Sequence, residues 1–340
     1  MKNICNSEIV ENWWDYYLVK YGIRRKTTIL LKTKPHPMSF VLDKDAFNYK
    51  KKLVQIIFML IKENRIEYDN KANTIKIYSK NNEKKEFKFG FQDIDNIFCI
   101  ENMLNVGSDF EEYNDDFFLV KIGIDVKFLI RKNTFSDMYV LEENFIKNQY
   151  AILYPYLKDS IVVDIGGYIG DTSILFCMKG AKRVYAYELH PKLYSMALLN
   201  IRLNKLESKI MFENYGVGRQ ETVKYIKEEH PYGPTGTFDL GEACEGKDIS
   251  LKIKPLKNII ENINGIDVLK MDCEGAEFDA ILACPPYCLK KLKVMLIEYH
   301  NNPLTLIDYI RKAGFKVQII NEHKKGDALL GLLFAEAKKC

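Results

Sequence analysis

Two groups of residues in this sequence have the types and spacing to do chemistry. The first is the run Val163-Asp164-Ile165-Gly166-Gly167-Tyr168-Ile169-Gly170-Asp171-Thr172, which leaves an apolar strand, turns on glycines and enters a helix. Glycines at 166, 167 and 170 let the backbone approach a ligand with no Cβ in the way. The dinucleotide pattern G-x-G-x-x-G fails here, because Ile165 stands where its first glycine belongs. Asp164 occupies the strand end instead, where a carboxylate can meet an ammonium directly or through water and a pyrophosphate gains nothing. The loop favours a cationic ligand. Glu188, followed by Leu189 in YAYELHP, ends the next strand 22 residues after Gly166. An acid there can accept hydrogen bonds from both hydroxyls of a ribose.

The second group is Asp272, Glu274 and Glu277 in LKMDCEGAE, together with Glu298 and His300 in IEYH. If both segments end neighbouring parallel strands, their polar residues open onto one cleft. A histidine beside carboxylates suits general-base work, because its unperturbed pKa lies near neutrality. Asp272, Glu274 and His300 are therefore the candidate catalytic residues. Glu277 is expected to start the following helix, where its charge favours the helix N-terminus. Capping is the competing role for Glu274. Cys284 and Cys288 bracket Pro285-Pro286-Tyr287, but no second ligand pair at zinc-finger spacing accompanies them.

These residues need a scaffold of alternating strands and helices, and the pattern from about residue 150 onward supplies it. Apolar runs at 161–165, 183–187, 209–212, 266–271 and 294–298 read as buried strands, with helices over 172–179 and 191–206. Such alternation implies a mainly parallel sheet covered by helices on both faces. The runs 315–320 and 329–335 follow without an intervening helix, which suggests an antiparallel hairpin at the sheet edge. The Gly- and Pro-rich segment 230–237 reads as a loop, either a lid over the cleft or an ordinary long turn. Upstream, 51–63 reads as a short buried helix. Strands are expected at 65–68, 74–78 and 86–91, and two more lie within 117–130 around Gly123.

The motifs VVDIGGYIGDTSI, YAYELHP, IDVLKMDCEGAEFDAIL and MLIEYH stand in the order and spacing of FkbM-like methyltransferases, and the chain resembles that family over residues 126–336. The segment FLIRKNTFSDMYVLEENFIKNQY resembles the family's entry segment, with Asp137 and Tyr150 in matching places. Gly167 and Tyr168 replace the commoner Ala-Asn, and Cys273 replaces Val. The resemblance implies a Rossmann-like class I α/β fold with a seven-stranded sheet over 126–340 and a small mixed α/β accessory domain over 1–125. It implies S-adenosylmethionine as cofactor, held by Asp164, Gly166, Gly167, Tyr168, Gly170, Asp171, Thr172, Glu188 and Leu189. It implies O-methylation of a small-molecule or glycan hydroxyl. Acidic residues at the site would also admit a divalent metal, but the family pattern requires none and none is expected.

Composition narrows the alternatives. Residues 1–90 hold 19 Lys+Arg against 10 Asp+Glu, a basic balance that could dock an anionic partner such as RNA. The charges are scattered, however, which favours a plain solvated surface. An RNA methyltransferase and a non-catalytic cofactor-binding subunit are the competing classes. The N-terminus lacks a signal-type apolar core, and the apolar stretch 53–61 is too short for a bilayer. Eight cysteines without disulfide-scaffold spacing fit a reduced, cytoplasmic setting.

Overall fold

The computed structural model describes residues 26–43, 47–80, 86–90, 96–132, 134–227, 248–325 and 328–338. The segment 230–237 expected as a loop lies outside the described residues. Packing divides the chain into Met1–Ile146 and Lys147–Cys340.

The first unit contains β1 (Lys26–Leu31), β2 (Lys34–Pro35), β3 (Met38–Asp43), α1 (Phe47–Lys62), β4 (Ile66–Asp69), β5 (Thr74–Tyr78), β6 (Glu86–Gly90) and α2 (Ile97–Asn105). It continues through β7 (Asp109–Glu112), β8 (Phe117–Ile122), β9 (Val126–Arg131) and α3 (Phe135–Leu141). Its strands form a β1–β3 pair, a β2-β4-β5-β6 sheet and a β7-β8-β9 sheet. Buried Arg65 ties three of these elements together. Its guanidinium donates to Tyr78 O at 2.8 Å, Glu101 Oε1 at 3.1 Å and Asn105 Oδ1 at 3.1 Å. Residues 126–146 pack with this unit although the family resemblance starts at 126, because β9 pairs along its whole length with β8. Asp137, fully buried, closes the corner after β9 by accepting from Arg131 N at 2.9 Å and from its Nη2 at 2.6 Å.

The second unit is the Rossmann-like half. Its elements are α4 (Tyr154–Leu157), β10 (Ile161–Ile165), α5 (Asp171–Met178), β11 (Arg183–Tyr187), α6 (Pro191–Leu203), β12 (Ile210–Glu213), β13 (Gly216–Gly218), β14 (Thr222–Lys227) and β15 (Asp248–Pro255). They continue through α7 (Leu256–Asn262), β16 (Val268–Met271), α8 (Glu277–Ala283), α9 (Pro286–Leu289), β17 (Val294–Tyr299), α10 (Leu304–Lys312), β18 (Phe315–Lys325) and β19 (Ala328–Ala337). Seven strands form one sheet in the order β12-β11-β10-β16-β17-β19-β18. The pairs from β12 through β17 are parallel, and β19 enters antiparallel between β17 and β18. This is the class I α/β architecture with its terminal hairpin. The hairpin runs further than its apolar core, because Lys324 and Lys325 still pair with β19 beyond a bulge.

Continuous apolar runs form the inner strands because helices cover both sheet faces. Val162, Val163, Val268, Leu269, Met271, Leu296 and Ile297 are all essentially inaccessible to solvent. A β13-β15-β14 sheet lies between β12 and β16 in sequence. The strand order reverses between β10 and β16, so a crevice opens beyond their carboxyl ends. Both candidate groups sit at strand ends on that side.

Candidate active site

Within the sheet, β10 and β16 each carry one charged residue among apolar neighbours, and the register sets Asp164 directly beside Lys270. Both are buried, with Lys270 Nζ 3.3 Å from Asp164 Oδ1. The other carboxylate oxygen of Asp164 accepts from Thr172 Oγ1 at 2.7 Å and from Ser173 Oγ at 2.6 Å. Lys270 also donates to Gly166 O at 2.8 Å and Ile165 O at 3.3 Å. Burial works against the ammonium, but Asp164 and then Asp272 outweigh it and hold the Lys270 pKa above its usual value. Asp164 and Thr172, read in sequence as separate ligand contacts, are each other's partners. Their hydrogen bond joins the end of β10 to the first turn of α5.

The loop's shape follows from a close approach. Gly166 has φ +76°, and a Cβ there would lie 1.6 Å from Asp272 O, so no side chain fits. Gly167 lies against the Phe212 ring. Gly170, at φ +84°, starts α5, whose first residues Asp171 and Thr172 are buried. Tyr168 takes φ +46°, an uncommon conformation for a non-glycine residue, and its N–H donates to Glu188 Oε2 at 3.0 Å. The other oxygen of Glu188 accepts from His190 N at 2.8 Å. Burial raises the Glu188 carboxyl to about 7, against the lowering effect of the His190 and Tyr168 amides. Each carboxylate oxygen keeps a further lone pair. Leu189 packs where a Cβ on Gly216 would stand.

Beside Glu188 lies a cavity of about 490 Å³ lined by Pro191, Tyr194, Phe212, Asn214, Tyr215 and Ile249 among others. Asn214 Nδ2 donates to Glu188 O at 2.8 Å and Leu189 O at 3.0 Å. The glycine cradle, the two-oxygen acceptor of Glu188 and this partly aromatic cavity fit an adenosyl group. Its ribose would meet Glu188 and its ring the cavity.

The second group does converge. His300 Nε2 lies 3.3 Å from Glu274 Oε2, and Nδ1 lies 3.3 Å from Glu277 Oε1. Glu277 is fully buried at the start of α8 and accepts from Cys273 N at 3.0 Å. Glu274 sits in the preceding turn with φ +54°. Tyr150 Oη lies 3.5 Å from Asp272 Oδ2. Burial would lower the His300 pKa, but Glu277, Glu274 and Asp272 together push it up to about 9. Burial, followed by the Asp272 charge, pushes Glu298 up to about 9. Both shifts favour the protonated forms of His300 and Glu298. The cofactor loop and this cluster meet where Gly166 presses on Asp272.

Sequence reasoning passed over Lys270 and Asn214, and placed Glu298 in the second group without giving it a role. A lone lysine in an otherwise apolar strand was the available signal for Lys270, since a buried charge needs a partner. Cys284 and Cys288 are buried free thiols.

Residues 164–317 match the family model for the methyltransferase FkbM domain. A comparison with curated proteins finds no match. Among solved structures, a SAM-dependent methyltransferase from Agrobacterium tumefaciens is 15% identical, with 67% of this chain and 72% of that chain covered at a TM-score of 0.40. The magnesium protoporphyrin IX methyltransferase of Synechocystis with bound SAM is 12% identical, covering 59% and 82% at a TM-score of 0.35.

Removing the Asp164 carboxylate would strand the Lys270 ammonium in the sheet. Asp164→Ala is expected to destabilise the second unit by about 3–5 kcal/mol, the scale for breaking a buried ion pair. Urea unfolding followed by circular dichroism measures it, and a loss below about 1 kcal/mol would contradict the anchoring role.

Proposed function

We propose that this chain, whose residues 164–317 match the methyltransferase FkbM domain, uses S-adenosylmethionine to methylate a hydroxyl oxygen on a sugar, glycan or related metabolite. The carrying observation is the half-buried cluster of Asp272, Glu274, Glu298 and His300 directly beside the glycine loop. The loop from Gly166 to Asp171, with Glu188 and Leu189, would hold the cofactor's nucleoside and methionine ends, while Asp164 and Thr172 keep that loop in place. When bound, the cofactor supplies an electrophilic methyl group. The protein's remaining task is to align an acceptor oxygen and receive its proton, and alignment accounts for much of the acceleration.

Asp272 and His300 can hydrogen-bond an acceptor hydroxyl and orient it. Glu274, whose side chain is 29% exposed, is placed to take the proton. A neutral, hydroxyl-rich acceptor suits this wall of carboxylates. A nucleic-acid backbone does not, because its phosphates would face Asp272, Glu274 and Glu298.

The Glu188 carboxyl gives a pH test. A ligand whose two ribose hydroxyls donate to Glu188 prefers the carboxylate, and the free protein binds a proton there below about pH 7. Affinity for S-adenosylhomocysteine should therefore fall as pH drops through about 7, approaching tenfold per unit. Glu188→Ala should weaken binding by about 1–3 kcal/mol, and Glu188→Gln should flatten the pH profile. Calorimetric titration between pH 6 and 8 measures both. An unchanged affinity in Glu188→Ala would contradict the ribose role.

Methyl-labelled cofactor incubated with glycan, small-molecule and RNA fractions tests the acceptor class. Label should enter the glycan or small-molecule fraction. Label only in RNA, or in no fraction while the cofactor product binds, would overturn the proposal. With the acceptor in hand, Glu274→Ala and His300→Ala should each slow single-turnover transfer by about 10²–10⁴-fold. A slowing below about threefold in both would leave alignment alone as the source of rate.

A further inference from the structure

We propose that Asp272, Glu298 and His300 bind a divalent cation of the Mg²⁺ or Mn²⁺ class, which holds an acceptor bearing two adjacent oxygens. The inference deepens the acceptor-side reading above and reverses the expectation of a metal-free site. Parallel pairing sets the ends of β16 and β17 side by side, with Met271 opposite Ile297. Asp272 follows the first strand, Glu298 lies near the end of the second, and His300 comes just after it. One ligand atom from each of these three residues lies within 4.8 Å of the other two. An ion with bonds of about 2.1–2.4 Å holds neighbouring ligand atoms roughly 3–4 Å apart and opposite ones up to about 4.8 Å apart.

Two further observations point to a cation rather than to a merely acidic wall. Glu277 is fully buried behind His300, 3.3 Å from Nδ1, and is anchored by the Cys273 amide. A carboxylate behind an imidazole is how a ligating histidine is held, and the ion would take Nε2 in place of its 3.3 Å contact with Glu274. The second observation is a shortage of positive charge. Glu277 Oε2 is buried without a hydrogen-bond partner among the described residues. Asp272, Glu274, Glu277 and Glu298 surround one imidazole, while the neighbouring Lys270 is already paired with Asp164. Carboxylates crowded in this way are relieved by a proton or by a cation. The two carboxylates suit Mn²⁺ or Mg²⁺, while the imidazole favours a transition metal and so Mn²⁺ of the two, and three protein ligands leave positions open for a diol or hydroxy acid.

The test uses the full chain and MnCl₂ alone, with free Mn²⁺ read by electron paramagnetic resonance. One Mn²⁺ should bind per chain. Asp272→Asn and Glu298→Gln should each weaken it at least tenfold, while the exposed-surface variant Asp308→Asn should bind as the parent does. Retained S-adenosylhomocysteine binding verifies that each variant is folded, and His300→Gln replaces any variant that is not. Absence of saturable Mn²⁺ binding, or unchanged binding in the folded variants, overturns the proposal. Methyl transfer that persists in a chelator would overturn it as well, leaving the methyltransferase reading intact.

Discussion

The buried pair of Lys270 and Asp164 is the interaction on which the rest of the site depends. A lysine and an aspartate side by side in the middle of a parallel sheet are tolerable only because each satisfies the other. The pair sits at the point where strand order reverses. It therefore joins the strand that leads into the glycine loop to the strand that leads into the acidic cluster. Lys270 extends the link by donating to the carbonyls of Ile165 and Gly166, and Asp164 extends it through the hydroxyls of Thr172 and Ser173. One ion pair thus sets the distance between the two halves of the chemistry.

From that anchor the two halves differ in kind. On the loop side the backbone does most of the work: a glycine pressed against Asp272 O, a tyrosine in a positive-φ turn, and Glu188 held by two amides. On the other side the work belongs to side chains. Carboxylates crowd one another and an imidazole, and the crowding raises the proton affinity of Glu298 and His300. Fixed acidic charge next to a cradle suited to a positively charged sulfonium is electrostatically consistent. The same charge disfavours a polyanionic acceptor at the point of transfer.

Much of this was legible in the sequence, for identifiable reasons. Strands 161–165 and 183–187 were readable to the residue because buried parallel strands are mainly apolar runs, here interrupted only by Asp164 and opened by Arg183. The loop and Glu188 were readable because glycine spacing and a strand-end acid have few other uses. Asp272, Glu274 and His300 were readable as a group because they follow adjacent strands. Partnerships were not, since they depend on register. Nothing local shows that Thr172 and Ser173 turn back to Asp164, or that Lys270 is its neighbour. The alternation of Ile249, Leu251 and Ile253 marks β15, yet its partners β13 and β14 lie far upstream in sequence.

The central claim is that this glycine loop and Glu188 form an adenosyl site rather than a dinucleotide site. Isothermal titration of the full chain with S-adenosylhomocysteine and, separately, with NAD tests it most directly. The account predicts saturable binding of S-adenosylhomocysteine at one molecule per chain and no binding of NAD. Binding of NAD without binding of the adenosyl ligand would contradict it.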